Sequence, residues 1–593
     1  MTQSPFVAIS TRLLLAGVLL LQGAGLAAAQ STAPATRPSA GQKTALLTRP
    51  EASNFAETSQ YADVMSYMKA MASASPQIHL TTFGYTFEGR PLPLAIIGAP
   101  GATPEQVLAT GKTRVYLQGN IHAGEVEGKE ALLWLLRSIA RGERADWFKS
   151  VVLLIGPIYN ADGNERVSVA NRGSQNGPIG GMGQRANAQN LDLNRDCTKL
   201  ETPEARSMAM LLTRYDPHVA IDLHTTDGSA DSGFYLTYET SLNPNDSKAT
   251  SGLLRDSLLP SVTKTIKAKH GWDYFYYGGV ARGAERSYGS DGDLAKARYT
   301  STYFGVRNRL GILVETYSYA SFEDRIKANY WFLEEVLDYV VKSGESVRRA
   351  VATADGESVI GKDLAVRQEL VKGAAPVPVV FAQTVTERNP YVPDRPIRRR
   401  VPGGERTEIM PHFGTTAPTE TSMAPRAYLL PLVVTPASAP AAALPSAPPA
   451  APPAGTPGPG MRPGTGGSAS ARVMASVVDR LEAHGIKFIR TEAEQTIKGE
   501  RFRIESSTLA DREYQGTHKL RTLTGKWEAT EQTLPAGSIV VQMDQPLARL
   551  AFLLFDPRSD DGLMAWNILD PVLSGTPAPE FYPVLRTMDV VAK

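Results

Sequence analysis

At 593 residues, 42% of them hydrophobic, the chain is too long for one compact domain and predicts two folded domains plus accessory segments. Its 62 basic and 60 acidic residues leave a formal charge of +2, which gives no electrostatic basis for nucleic acid or an anionic membrane as partner. The single cysteine, Cys197, excludes an intrachain disulfide, so stability must come from the core and any bound metal.

In chain order, Arg12 precedes the apolar run "LLLAGVLLLQGAGL" and the small residues "AAAQ". That is the order of a secretory signal peptide, predicted over residues 1–29 with cleavage after Ala29. The apolar run falls short of the roughly 18 to 20 residues that a spanning helix needs. The expectation is export to the periplasm or the medium without a stable membrane span; a retained anchor is the alternative. Residues 30–53 are Pro-, Ala- and Thr-rich and read as a flexible leader.

From 54 to 355 strand and helix patterns alternate. "TRVYLQGNI", "VVLLIGPIY", "HVAIDLHT" and "LGILVETY" are continuous apolar runs of strand length, and "GKEALLWLLRSIARG" has helical spacing with a terminal glycine. Such runs predict an α/β fold: a mixed, largely parallel sheet covered by helices on both faces. After the helical stretch "SFEDRIKANYWFLEEVLDYVVKSG", short β-type segments dominate, among them "VPVVFAQTV", "RFRIESS", "SIVVQM" and "LARLAFLLF". Residues 356–593 therefore predict a second, mainly β domain with some helix. A Pro/Ala/Gly-rich insertion at about 436–471 interrupts a strand, helix, strand unit within it. The basic run "RPIRRR", Arg395 to Arg400, reads as a solvated loop, since no aromatic residues interleave it.

The chemistry begins at "GNIHAGEVEGKEAL", where His122 and Glu125 follow the end of a predicted strand. Open α/β sheets place ligand-binding loops there, yet the pair alone is equally a piece of polar loop. "AIDLHTTDG" ends a second buried strand with His224, and "LGILVETYS" ends a third with Glu315. His224 alone would be a backbone-bonded histidine, whereas a carboxylate ending "GILVE" needs a partner. "NLDLNRD" adds Asn194 and Arg195. Two neutral imidazoles and a carboxylate suit one zinc ion, with a fourth position open to water. Asp227 is a rival ligand, better placed to orient His224. Cys197 reads as a packing residue, with no histidine near it in sequence.

In order, "HAGE", "YNADG", "RANAQNLDLNRD", "DLH" and "GILVET" resemble the zinc carboxypeptidase family typified by pancreatic carboxypeptidases A and B, over about residues 54–350. The resemblance identifies the chain as an exported bacterial member. It implies that His122, Glu125 and His224 hold zinc, that Glu315 is the general base, and that Asn194 and Arg195 hold the substrate's terminal carboxylate. It also implies that Arg185, or failing it Arg172, polarises the scissile carbonyl, and that Tyr288 or Tyr299 supplies the family's mobile tyrosine. The partner expected is a peptide or peptide-like substrate. Gly124 stands where the animal enzymes have an arginine, which leaves the substrate mode open. Two alternatives stand beside a carboxypeptidase: a zinc amidohydrolase acting on cell-wall peptides or acylated amino acids, and a binding protein without catalysis.

Overall fold

The computed structural model describes residues 46–173, 175–226, 233–281, 285–389, 392–394, 396–432, 468–573 and 579–592. The predicted signal segment, most of the leader, most of the insertion and Asp227 lie outside them. Residues from Leu46 onward form one compact unit. Among the described residues no helix is long and apolar enough to cross a membrane.

The eight-stranded sheet contains β1 (Ile78–Tyr85), β2 (Pro91–Ile97), β3 (Thr113–Gly119), β4 (Val151–Gly156), β5 (Val219–Thr225), β6 (Leu236–Thr240) and β7 (Tyr274–Tyr276). After two short strands, β8 (Gly279–Ala281) and β9 (Ser287–Gly289), the last member is β10 (Leu310–Thr316). Its order is β1-β2-β4-β3-β5-β10-β6-β7. The four central strands, β4, β3, β5 and β10, run parallel, while β1, β2 and β6 pair antiparallel.

Both faces of the central strands are apolar because both are covered. Side chains alternate across a strand, so Val115, Leu117, Val151, Leu153, Ile155, Val219, Ile221 and Leu223 join one core with helices Tyr61–Ala74, Glu127–Ala140 and Phe322–Gly356. Tyr116, Val152, Leu154 and Ala220 point the other way, toward helices Pro203–Tyr215 and Thr300–Val306. That second core continues without a break into Tyr428, Val477, Phe502, Val541, Phe552 and Val584 of the C-terminal region. Each such fully buried aliphatic side chain is worth about 1.5–3 kcal/mol relative to exposure.

The C-terminal strands are β11 (Asp363–Val371), β12 (Val377–Glu387), β13 (Ile397–Met410), β14 (His412–Phe413), β15 (Thr415–Met423), β16 (Ala427–Leu430), β17 (Ile489–Arg490), β18 (Gln495–Leu509), β19 (Arg521–Leu534), β20 (Ile539–Gln542) and β21 (Phe581–Thr587). The last six form one sheet, ordered β17-β20-β16-β21-β18-β19. Helix Ala469–His484 follows β16 and leads to β17, and both strands pair with β20.

Two expectations are corrected. "LARLAFLLF" is a helix, Ala548–Phe555, with every residue buried; a wholly apolar run carries no period to separate helix from strand. "RPIRRR" is no loop from residue 397 onward: Arg398, Arg399 and Arg400 lie on β13. Arg400 is buried, its guanidinium 4.0 Å from the centre of the Tyr235 ring and donating to the Gly233 carbonyl.

Candidate metal centre and active site

Parallel strands bring their carboxyl ends to one edge, and three of them deliver the site. After β3 the chain turns through Asn120, at φ +68°, and the Glu125 N–H donates to the His122 carbonyl at 2.9 Å. This tight turn sets His122 and Glu125 side by side before helix Glu127–Ala140 begins. His224 sits near the end of β5, in register with Glu315 on β10.

The two histidines present Nδ1 to a common point. His122 Nδ1 lies 3.0 Å from Glu125 Oε1, and His224 Nδ1 lies 3.0 Å from Glu125 Oε2 and 3.2 Å from His122 Nδ1. Their other nitrogens face carboxylates: His122 Nε2 is 3.0 Å from Asp192 Oδ1, and His224 Nε2 is 2.8 Å from Asp222 Oδ2. With each Nε2–H given to a carboxylate, each Nδ1 carries a lone pair. Two lone pairs 3.2 Å apart beside a carboxylate repel one another unless a cation or proton lies among them. Ligand atoms of His122, Glu125 and His224 all lie within 4.8 Å of one another, and this His₂Glu donor set fits zinc.

The surrounding charges set the protonation of these side chains. Burial alone would raise Glu125, but His122 and Arg172 hold its carboxyl well below the ordinary range. Burial likewise opposes ionisation of Asp192, yet His122, Arg195 and Arg185 keep it low. Burial works against a charged His224, and Asp222 and Glu125 overcome it, raising its pKa well above the usual value. A metal entering here displaces that proton. Glu315 behaves differently. Burial pushes it up to about 8, with Glu125 adding to the rise and the charges of His224, Arg172 and Arg185 opposing it. Its Oε2 is buried and has no hydrogen-bond partner among the described residues. An orphaned carboxylate beside a ligand set is poised for a proton that comes and goes.

Arginines ring the centre. Arg172 Nη2 donates to Glu125 Oε1 at 2.6 Å, and its Nε to Gln175 at 3.1 Å. Arg185 Nε donates to Asp192 Oδ2 at 2.8 Å and its Nη1 lies 3.6 Å from Glu125 Oε1; its side chain is 39% exposed, so it alone of the pair is open to a ligand. Arg195 lies with its guanidinium 4.0 Å from the centre of the Tyr299 ring, and the Asn194 amide oxygen accepts the Thr300 N–H at 2.9 Å. The structure thus brings together His122, Glu125, His224, Arg172, Arg185, Asn194, Arg195 and Tyr299. Tyr288 is placed elsewhere, in a cluster with Phe234, Val379, Phe381 and Met410, its hydroxyl donating to the Tyr276 carbonyl at 2.7 Å.

Asp192 and Asp222 were not singled out from the sequence. Asp222 had a signal: it stands two before His224 on one strand, so both point to one face. It fills the orienting role considered for Asp227. Gly124 is also explained locally, since a Cβ there would stand 2.5 Å from Arg172 Cγ and 2.6 Å from the Gly183 carbonyl oxygen.

Residues 64–304 match the zinc carboxypeptidase family model. They form a zinc carboxypeptidase domain. Carboxypeptidase 2 of Trichophyton tonsurans is 24% identical over 520 residues, which cover 84% of this chain and 81% of that protein. Carboxypeptidase D of Mus musculus is 34% identical over 149 residues, 22% of this chain and 10% of that protein. A solved metallo-carboxypeptidase from Burkholderia cenocepacia aligns over 49% of this chain and 70% of its own at 16% identity, with a TM-score of 0.37. Every residue of the candidate site described above lies inside the matched span except Glu315.

Proposed function

We propose that this chain is an exported, zinc-dependent carboxypeptidase that hydrolyses the peptide bond nearest the C-terminus of a peptide substrate. The observation that carries the reading is the convergence of His122 Nδ1, His224 Nδ1 and Glu125 at one point, with Glu315 paired to His224 on the next strand. Export rests on the N-terminal sequence, residues 1–29.

One zinc ion held by His122, Glu125 and His224 supplies Lewis acidity, polarising the scissile carbonyl and making water acidic near neutral pH. The remaining work belongs to the chain. Glu315 takes a proton from the attacking water and passes it to the nitrogen of the leaving amine as the C–N bond breaks and the new C–O bond forms. Arg185, the more exposed of the two arginines at Glu125, offers its guanidinium to the charge growing on the carbonyl oxygen, a contribution commonly worth a few kcal/mol per donor. Arg195 presents a planar fork to the terminal carboxylate, with Asn194 beside it. Asp192 and Asp222 hold the imidazole rings in the tautomer that leaves each Nδ1 free.

The test is Glu315→Gln. The variant should retain metal in full and lose kcat by roughly 10²–10⁴-fold, the usual scale for removing a general base. Undiminished turnover in the variant would remove Glu315 from the mechanism, and a wild-type protein that binds no zinc would remove the centre.

A further inference from the structure

Three consecutive residues join the C-terminal region to the substrate side of the site. The first, Arg298, is 2% exposed and gripped from residues far along the chain. Its backbone N–H donates to Asp561 Oδ2 at 3.0 Å, its Nε to Asp561 Oδ1 at 2.5 Å, and its Nη2 to the Asp560 carbonyl at 2.8 Å. Its guanidinium lies 4.9 Å from the ring centre of Tyr514 and 4.6 Å from that of Trp566. The second residue, Tyr299, carries Arg195 against its ring. The third, Thr300, gives its N–H to Asn194 and its hydroxyl, at 2.6 Å, to Asp222 Oδ2, the same oxygen that faces His224 Nε2.

We propose that Asp561 is a positioning residue for the carboxylate-binding pair Asn194 and Arg195, acting through Arg298 and the two residues after it. The inference rests on the carboxypeptidase reading, in which that pair meets the substrate's C-terminus. Consecutive Cα atoms are a fixed ~3.8 Å apart, so a residue clamped at both its backbone and its side chain fixes the direction in which the next two leave it. The clamp is strong because it is dry. Asp561 is 3% exposed, and removing one partner of a buried pair leaves a charge with nothing to offset its desolvation. Arg298 would then leave its place, taking with it the ring beneath Arg195 and the N–H held by Asn194. The C-terminal region thereby becomes part of the substrate site without touching the substrate.

A role in stability alone predicts something different: looser folding with unchanged preference for a free carboxylate. Binding without turnover separates the two. In the zinc-loaded Glu315→Gln protein, a pentapeptide pool with randomised C-terminal residue is offered as free acid and as amide, and the bound fractions are read by mass spectrometry. Preference for the acid should fall about tenfold or more on adding Asp561→Asn, and similarly with Arg298→Lys, which keeps the charge but loses the fork. Arg549→Lys is the control. It disturbs another buried clamp, on the Asn245 carbonyl and Asn308 at 2.7 and 2.9 Å, and should leave the preference unchanged. Should Asp561→Asn fail to fold by thermal melting, Arg298→Lys carries the test. Full acid preference in the folded clamp variants overturns the proposal while leaving the carboxypeptidase reading intact. No acid preference in the Glu315→Gln background overturns both.

Discussion

At the scale of single residues, Gly124 shows how one position is tied to the metal centre. A methyl group there meets a carbonyl oxygen, Gly183 O at 2.6 Å, as well as Arg172 Cγ at 2.5 Å. The side chain can swing away; the backbone cannot. Gly124→Ala should therefore cost about 1–3 kcal/mol of stability. It should also break the Arg172 to Glu125 contact and weaken zinc binding about 10- to 100-fold, as losing a ligand's support does. Melting and chelator competition measure the two effects. Glu315 makes a second prediction. Its pKa of about 8 belongs to the metal-free site, and a neighbouring cation favours the carboxylate. The base must be ionised to act, so kcat/KM of the zinc-loaded enzyme should rise with pH along a limb whose midpoint lies below 8. Residual activity in Glu315→Gln should lack that limb; an unchanged limb would assign it to another group. The three candidate ligands were legible because each lies near or just beyond the carboxyl end of an apolar strand. Arg172 at Glu125 and Asp192 at His122 were not, since those pairings are made across 47 and 70 residues of chain and no spacing rule connects them.

At the scale of elements, the parallel strands were readable wherever apolar runs were bounded by loops, and β3, β5 and β10 end within two residues of where the sequence places them. The Ala548–Phe555 helix was not readable. Burial on every side erased the period by which a helix is recognised. The helix Ala469–His484 ends on a histidine with a testable consequence. His484 is fully buried; Tyr303 OH lies 2.8 Å from its Nδ1, and its Nε2 is 3.1 Å from the Thr198 carbonyl. With Nε2–H given to the Thr198 carbonyl and the Tyr303 hydroxyl donating to Nδ1, the ring is neutral. Burial, with Arg307 nearby, lowers its pKa from 6.5 to about 3. Below pH 6.5 the unfolded chain takes up a proton that the native protein refuses until about pH 3. The stability is therefore present in full above 6.5 and is lost as pH falls through that window. His484 accounts for roughly 2 kcal/mol between pH 6.5 and 5, at about 1.4 kcal/mol per pH unit. His218, also lowered to about 3 by burial and Arg114, acts in the same direction. Urea titrations at pH 7 and 5 should show the fall, and a less steep fall in His484→Gln. Equal slopes in variant and wild type would contradict a neutral His484.

At the scale of the whole molecule, the sequence divides at about residue 356 by texture, from alternating helix and strand to short β segments. The apolar core does not divide there. Tyr303, Phe304 and Val306, on the helix that follows Arg298 and Tyr299, share a core with Leu550, Phe552 and Leu554. Texture reports local structure, whereas a core is made by contacts between distant segments, and this explains why the change of texture was visible and the continuity of the core was not. The full chain from Leu46 should accordingly melt in one transition. A fragment ending at 356 should be insoluble or bind no zinc, because its apolar face is left in water. A soluble, zinc-binding fragment would show that the core is separable.

In the proposed reaction a zinc centre acts on the bond next to a free C-terminus, and one measurement meets this directly. The mature protein is stripped with chelator and reloaded with zinc, then incubated with one peptide as the free acid and as the amide, with products identified by mass spectrometry. A zinc carboxypeptidase should remove single residues stepwise from the free acid, only after zinc is restored, with little or no loss from the amide. Cleavage within the peptide, equal cleavage of the amide, or full activity in the stripped protein would contradict it.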